Sequence, residues 1–269
     1  HNGHRVNGSG AASPVINGTP QRFKLISRHL ARQGFITPQT LGSQLALEIG
    51  GIKRSLLRRL DFFHRQGTDT VAGHSGHNVV LVTSAKSNDG KTFTAVNLAL
   101  SLVLEEEVNV MLIDADMYTS KVAGVLDLEV RHGLSDRLQN SRLPLADCLF
   151  REETLPLTVL PAGKRPRSVA SLFGEREMAA LMREVAKRYP DRLVIIDGPP
   201  LLATTEATVL VPYADQVVLV VPSGDATQDL VTSALDALAA DDKVSMVLNR
   251  TPSAFGGEAY GGYARTVDS

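Results

Sequence analysis

Residues 78–92 read NVVLVTSAKSNDGKT, an apolar run that ends in a polar turn and the tripeptide Gly90-Lys91-Thr92. The run is short and rich in β-branched residues, which marks a strand buried on both faces rather than a helix. From Thr92 to Leu104 the pattern turns helical. A strand that enters a helix through such a turn is a phosphate-binding loop. Its backbone N–H groups and the helix N-terminus cradle phosphates, Lys91 reaches the β/γ oxygens, and the Thr92 hydroxyl can ligate Mg²⁺. The tripeptide alone is common; its strand–turn–helix context gives it meaning. Ala85 stands where the first glycine of such loops is usual, and the interior is Ser87-Asn88-Asp89 rather than glycine-rich, which points to a weakened grip on phosphate.

Working outward, further strands are predicted at Val108–Asp114, Leu157–Leu160, Arg192–Asp197, Gln216–Val221 and Lys243–Leu248, with helices over about 170–188 and 226–239. Strands alternating with helices imply parallel crossovers, so the expected fold is α/β, a doubly wound, mostly parallel sheet of P-loop NTPase type. Ligands of such sheets bind at the carboxyl ends of the strands. Asp114, Asp116 and Asp197 all sit at predicted strand ends. One such aspartate alone reads equally well as a turn or cap. Beside a P-loop, the three together suit phosphoryl transfer, which needs a metal held and an attacking oxygen positioned.

The chain of 269 residues carries 28 Lys+Arg against 29 Asp+Glu, a formal charge of −1, so no overall basic field recruits nucleic acid. A lone Cys148 with no partner and no export-type opening suggest a reducing cytosol, with Cys148 a buried, inert thiol. No segment approaches the roughly 20 apolar residues that span a bilayer, so a membrane role needs a partner. Residues 1–20 are polar and Gly-rich and read as a disordered leader. Over 21–66 two helices are expected, Gln21 to Phe35 and Pro38 to Phe63. On the second, Leu45, Ile49, Ile52, Leu56 and Leu60 share a face opposite Arg54, Arg58 and Arg65. That basic face is either solvated or a subunit contact. The P-loop domain covers 67–250, and 251–269 forms a flexible tail whose aromatic residues are Phe255, Tyr260 and Tyr263. His64, His74 and His77 lack companions at ligand spacing, and Lys164-Arg165-Pro166-Arg167 reads as a solvated turn or a contact for an acidic or phosphate group.

With these motifs in view, the chain resembles the bacterial tyrosine kinases of capsule and exopolysaccharide synthesis, most closely their exosortase-associated tyrosine autokinases. The likeness rests on the P-loop, on Asp114-Ala115-Asp116 and on Ile195-Ile196-Asp197-Gly198-Pro199-Pro200. It extends through Gly34-Phe35-Ile36-Thr37-Pro38, Ile52-Lys53-Arg54 and Leu160-Pro161-Ala162-Gly163, over about residues 22 to 250. The resemblance implies ATP and Mg²⁺ as cofactors. Asn88, Asp89, Gly90, Lys91, Thr92, Phe93 and Asn249 would contact nucleotide; Thr92, Asp116 and Asp197 would serve the metal. Lys91, Asp114, Asp116 and Asp197 would form the catalytic set, with Asp114 taking the tyrosine proton. Tyr260 and Tyr263 would be phosphoacceptors between neighbouring subunits of a homo-oligomer. A membrane-embedded polysaccharide co-polymerase would be the partner, placing the chain in the cytoplasm at the inner membrane.

This sequence departs from the family in several places. Ser87-Asn88-Asp89 replaces the family's Pro-Gly-Glu, and Met117-Tyr118-Thr119-Ser120 separates Asp116 from Lys121. Glu48, Gly51 and Arg54 stand where many relatives have Glu-x-x-Arg-x-x-Arg. Lys86, five residues before Lys91, matches the extra lysine of partition and division-site ATPases. A P-loop switch that controls assembly without phosphorylating protein, or a weakened nucleotide-binding scaffold, is therefore the alternative.

Overall fold

The structure, a computed structural model, describes residues 18–62, 78–106, 108–169, 172, 174–239 and 241–251. Residues 1–17, the stretch with His64, His74 and His77, and the tail with Phe255, Tyr260 and Tyr263 lie outside the described residues.

The strands are β1 (Gln21–Phe23), β2 (Asn78–Ser84), β3 (Val110–Asp114), β4 (Phe150–Glu152), β5 (Leu157–Leu160), β6 (Leu193–Asp197), β7 (Gln216–Pro222) and β8 (Val244–Asn249). The helices are α1 (Ser27–Arg32), α2 (Gln44–Arg59), α3 (Lys91–Glu105), α4 (Val122–Val125), α5 (Leu134–Gln139), α6 (Glu175–Arg188), α7 (Glu206–Leu210) and α8 (Gln228–Leu238). They build one eight-stranded sheet in the order β1-β4-β5-β3-β6-β2-β7-β8. Every pairing is parallel except β4 with β5. The chain leaves β2, passes over β6 to β3, and later returns to β7 on the other side of β2. The reversal of direction falls at β2, so the crevice at its carboxyl end is where a ligand is expected.

Residue alternation divides the core in two. Val80, Val82, Val110, Leu112, Leu193 and Ile195 face α1, α2 and α3, while Val79, Leu81, Met111, Ile113, Val194 and Ile196 face α5, α6, α7 and α8. A strand with both faces covered has no polar position to spare, which is why the sequence shows unbroken apolar runs. Each such Val, Leu or Ile side chain, taken fully out of water, contributes about 1.5–3 kcal/mol before entropy is counted.

The N-terminal region differs from the expected pair of helices. Gln21–Phe23 is a strand that pairs in parallel with Phe150–Glu152, and Gln21 N–H donates to the Leu149 carbonyl at 2.9 Å. Helix α1 begins only at Ser27. The second expected helix is also broken. Thr37 N–H donates to Thr40 Oγ1 at 2.8 Å and closes a 3₁₀ turn over Pro38–Thr40, and Ser43 Oγ then accepts from Ala46 N–H at 3.2 Å to start α2 afresh. Of the expected apolar face, Ile49, Leu56 and Leu60, the last just after α2, are buried, Leu45 and Ile52 are half-buried, and Arg54 and Arg58 are exposed. Lys53 is not exposed. Its ammonium, 1% accessible, lies 2.9 Å from Glu105 and 3.1 Å from Glu106 and ties α2 to the end of α3. Among the described residues no helix is long and apolar enough to cross a membrane.

Candidate nucleotide site

The P-loop runs from Ser84, the last residue of β2, to Lys91, the first of α3. The Leu201 and Leu202 N–H groups donate to the Ser84 and Ala85 carbonyls at 2.8 and 3.2 Å, so the segment after β6 braces the start of the loop. Asp89 Oδ2 accepts from Lys86 N–H at 2.8 Å across the turn. Gly90 caps α3 at φ +103°, where a Cβ would fall 1.9 Å from Asn249 Nδ2. Only glycine meets both demands.

Three strand-end aspartates gather beside this loop, with Asp114 and Asp197 opposite each other in the β3–β6 register. Lys91 Nζ lies 2.7 Å from Asp116 Oδ2, both groups nearly inaccessible. Burial opposes charge on Asp116, but the Lys91 ammonium and the Thr119 hydroxyl outweigh it and hold its carboxyl below the usual carboxylate range. Asp114 is fully buried, and its oxygens accept from Asp116 N–H at 3.2 Å and Val122 N–H at 3.3 Å. Burial, then the charges of Asp197 and Asp116, push its carboxyl well above the usual range.

Asp197 decides what the site can take. It is fully buried, yet neither carboxylate oxygen has a hydrogen-bond partner. The Thr92 hydroxyl is near enough to favour its charged form without completing hydrogen-bond geometry. Burial pushes this carboxyl up to about 7, with Lys91 and Thr92 pulling down and Asp116 adding to the rise. A buried carboxylate with two vacant acceptors beside a hydroxyl and a lysine fits a divalent cation. Among the described residues no group of three His, Cys, Asp or Glu side chains could hold a metal by itself. Mg²⁺ at Asp197, Asp116 and Thr92 would therefore draw its remaining ligands from phosphate and water, as Mg²⁺ commonly does.

The structure thus brings Lys91, Thr92, Asp114, Asp116 and Asp197 together with Asn88, Asp89 and Gly90. Phe93 faces elsewhere, its ring 5.2 Å from that of Phe35, and Asn249 donates its amide to the Asp89 carbonyl at 2.9 Å. Lys86 is exposed. Cys148 is buried, and its thiol is pushed up to about 12 chiefly by burial, which suits an inert residue. Sequence reasoning missed Tyr118, whose hydroxyl donates to buried Glu206 at 3.0 Å while Arg165 sits 5.4 Å over its ring. It also missed Lys121 and Arg250, which both reach Asn88.

A family model described as an AAA domain matches residues 77–241. The chain belongs to this family. Curated proteins similar to the chain include bacterial tyrosine-protein kinases. Tyrosine-protein kinase YwqD of Bacillus subtilis is 35% identical over 60% of this chain and 66% of its own length. Tyrosine-protein kinase wzc of Salmonella typhi is 32% identical over 50% of this chain and 18% of its own length. The chain therefore spans less than two thirds of these relatives. Among solved structures, the BceF tyrosine kinase domain superposes with a TM-score of 0.62 at 25% identity, covering 89% of this chain and 94% of that one. The kinase domain of Escherichia coli tyrosine kinase ETK, at 22% identity and a TM-score of 0.61, shares the fold. This AAA-domain chain has the mostly parallel, helix-flanked sheet of the P-loop ATPases, a fold that implies nucleotide binding.

Proposed function

We propose that the protein is an ATP-dependent protein-tyrosine autokinase of exopolysaccharide synthesis. The observation that carries this reading is the buried Asp197 carboxylate, unpartnered beside Lys91, Thr92 and Asp116 at the end of the P-loop. The relatives' names supply the acceptor chemistry. The P-loop N–H groups and Lys91 bind the β/γ-phosphates, and the Lys91–Asp116 pair keeps the ammonium in the site before nucleotide arrives. Asp116, Asp197 and the Thr92 hydroxyl would hold Mg²⁺, whose charge would offset that of the phosphates. Asp114, whose proton affinity is raised, takes the tyrosine proton as the phenolic oxygen attacks the γ-phosphorus and the bond to ADP breaks. The acceptors are Tyr260 and Tyr263 of a neighbouring subunit. The exposed Arg54 and Arg58 on α2 support a subunit contact, and a membrane-embedded polysaccharide co-polymerase is the partner that brings the chain to the inner membrane.

The test is to incubate the purified chain with Mg²⁺ and ATP and map phosphate by mass spectrometry. Phosphate is expected on Tyr260 or Tyr263, and not in Asp114→Asn. ATP hydrolysis with both tyrosines unmodified at every protein concentration would replace this reading with the switch ATPase, for which exposed Lys86 is the supporting observation.

A further inference from the structure

The P-loop has no glycine from Thr83 to Asp89, yet Asn88 adopts φ +68°. Glycine enters that left-handed region freely; asparagine is among the few other residues that visit it, at a modest cost that contacts from its surroundings offset. Two cations from remote parts of the chain supply such contacts. Lys121 Nζ donates to Asn88 Oδ1 at 2.9 Å, and Arg250 Nη2 donates to the Asn88 carbonyl at 2.5 Å. Arg250 also has φ +58°, with its Nη1 3.7 Å from Asp225 Oδ2. Next to it, Asn249 holds the Asp89 carbonyl.

The consequence follows from peptide planarity. The carbonyl of Asn88 and the N–H of Asp89 belong to one rigid unit and point in opposite directions, as do the carbonyl of Asp89 and the N–H of Gly90. Fixing the two carbonyls on Arg250 and Asn249 therefore aims the two N–H groups the other way, and phosphate cradles of this type use such inward N–H groups. We propose that Lys121 and Arg250 are positioning residues of the nucleotide site, acting through Asn88 to supply from outside the conformation that glycine supplies in a glycine-rich loop. The inference rests on the reading that this loop binds nucleotide.

The experiment measures the Kd of Mg²⁺·ATP and the KM and kcat of ATP turnover on the full chain, with circular dichroism confirming each variant's fold. Lys121→Met and Arg250→Ala should each raise Kd, and KM in parallel, by about fivefold to tenfold, the scale of one charge-assisted hydrogen bond partly replaced by water. kcat should move much less than KM. Arg250→Lys should recover part of the loss, since it keeps the charge without the planar fork. In an Asn88→Gly background, Lys121→Met should weaken binding no further because its acceptor is gone, whereas Arg250→Ala should still do so because its acceptor is the backbone. Affinities within twofold of the parent overturn the proposal. So does a loss confined to kcat, which would put Lys121 on the transferring phosphoryl group, or an undiminished Lys121→Met effect in Asn88→Gly. If Arg250→Ala misfolds, Lys121→Met and Arg250→Lys decide. A parent chain that binds no Mg²⁺·ATP would overturn the nucleotide reading itself, a separate and recognisable outcome.

Discussion

Asp197→Asn should make the nucleotide-free protein more stable at pH 8 and leave it about as stable as the parent, or slightly less so, at pH 5. The carboxyl is fully buried, and its proton affinity lies at about 7 against an ordinary value of 3.8. Between those values the folded chain keeps a proton that the unfolded chain has lost. The group therefore destabilises the fold increasingly as pH rises from about 4, and the effect is complete above about 7. A shift from 3.8 to about 7 is about 3 units, or on the order of 4 kcal/mol at about 1.36 kcal/mol per unit. Asparagine conserves the volume but introduces amide donors without acceptors, which costs about 1–3 kcal/mol and leaves a net gain of about 1–3 kcal/mol at pH 8. Urea unfolding in EDTA at the two pH values reads it directly, and the advantage of the variant should shrink by about 2–3 kcal/mol on going to pH 5. An advantage independent of pH, or a variant less stable at pH 8, would refute the assignment of a strained, charge-averse carboxylate. The same substitution should abolish the Mg²⁺-dependent part of ATP binding, since a residue retained against stability is retained for a ligand.

Gly90→Ala combines a forbidden φ of +103° with a Cβ 1.9 Å from Asn249 Nδ2, so it should cost about 1–3 kcal/mol in thermal unfolding and weaken ATP binding at least tenfold; parent-like affinity would show that the loop has another resting shape. Cys148, buried with its thiol pushed up to about 12, should resist iodoacetamide in the native protein and be alkylated on unfolding, as intact-mass measurement would show; native labelling at the unfolded rate would contradict its burial.

The sheet was legible because its strands are buried on both faces and so appear as apolar runs; β2, β3, β6 and β7 fall within a residue or two of their expected limits. β1 and β4 were not. Three residues each, Gln21–Phe23 and Phe150–Glu152, show no period; the first is a strand because Phe150–Glu152 lies beside it, and the second because it is held between that strand and β5. Helix α2 was overextended because an apolar stripe says nothing about the Thr37 and Ser43 side chains that interrupt it. At the site, Lys91, Asp114, Asp116 and Asp197 could be found because chemistry at strand ends is a local pattern. Lys121 and Arg250 could not, since their meaning is a distance to Asn88 across 33 and 162 residues of chain. Lys53 had no assigned role in the sequence, because its ion pairs with Glu105 and Glu106 join positions more than 50 residues apart.

Among the described residues, strand β8 forms one border of the sheet and pairs only with β7. Met246 and Leu248 project from it into water at 61% and 60% accessibility, the only large apolar side chains so exposed on any described strand. An apolar border of this kind invites a second border to zip against it, and charges at its two ends discourage that. Lys243 stands immediately before β8 and Arg250 immediately after it. The guanidinium set against the phosphate loop thus also stands at one end of this apolar border, and neutralising it would take away a charge that opposes edge-to-edge pairing along with a contact to the loop.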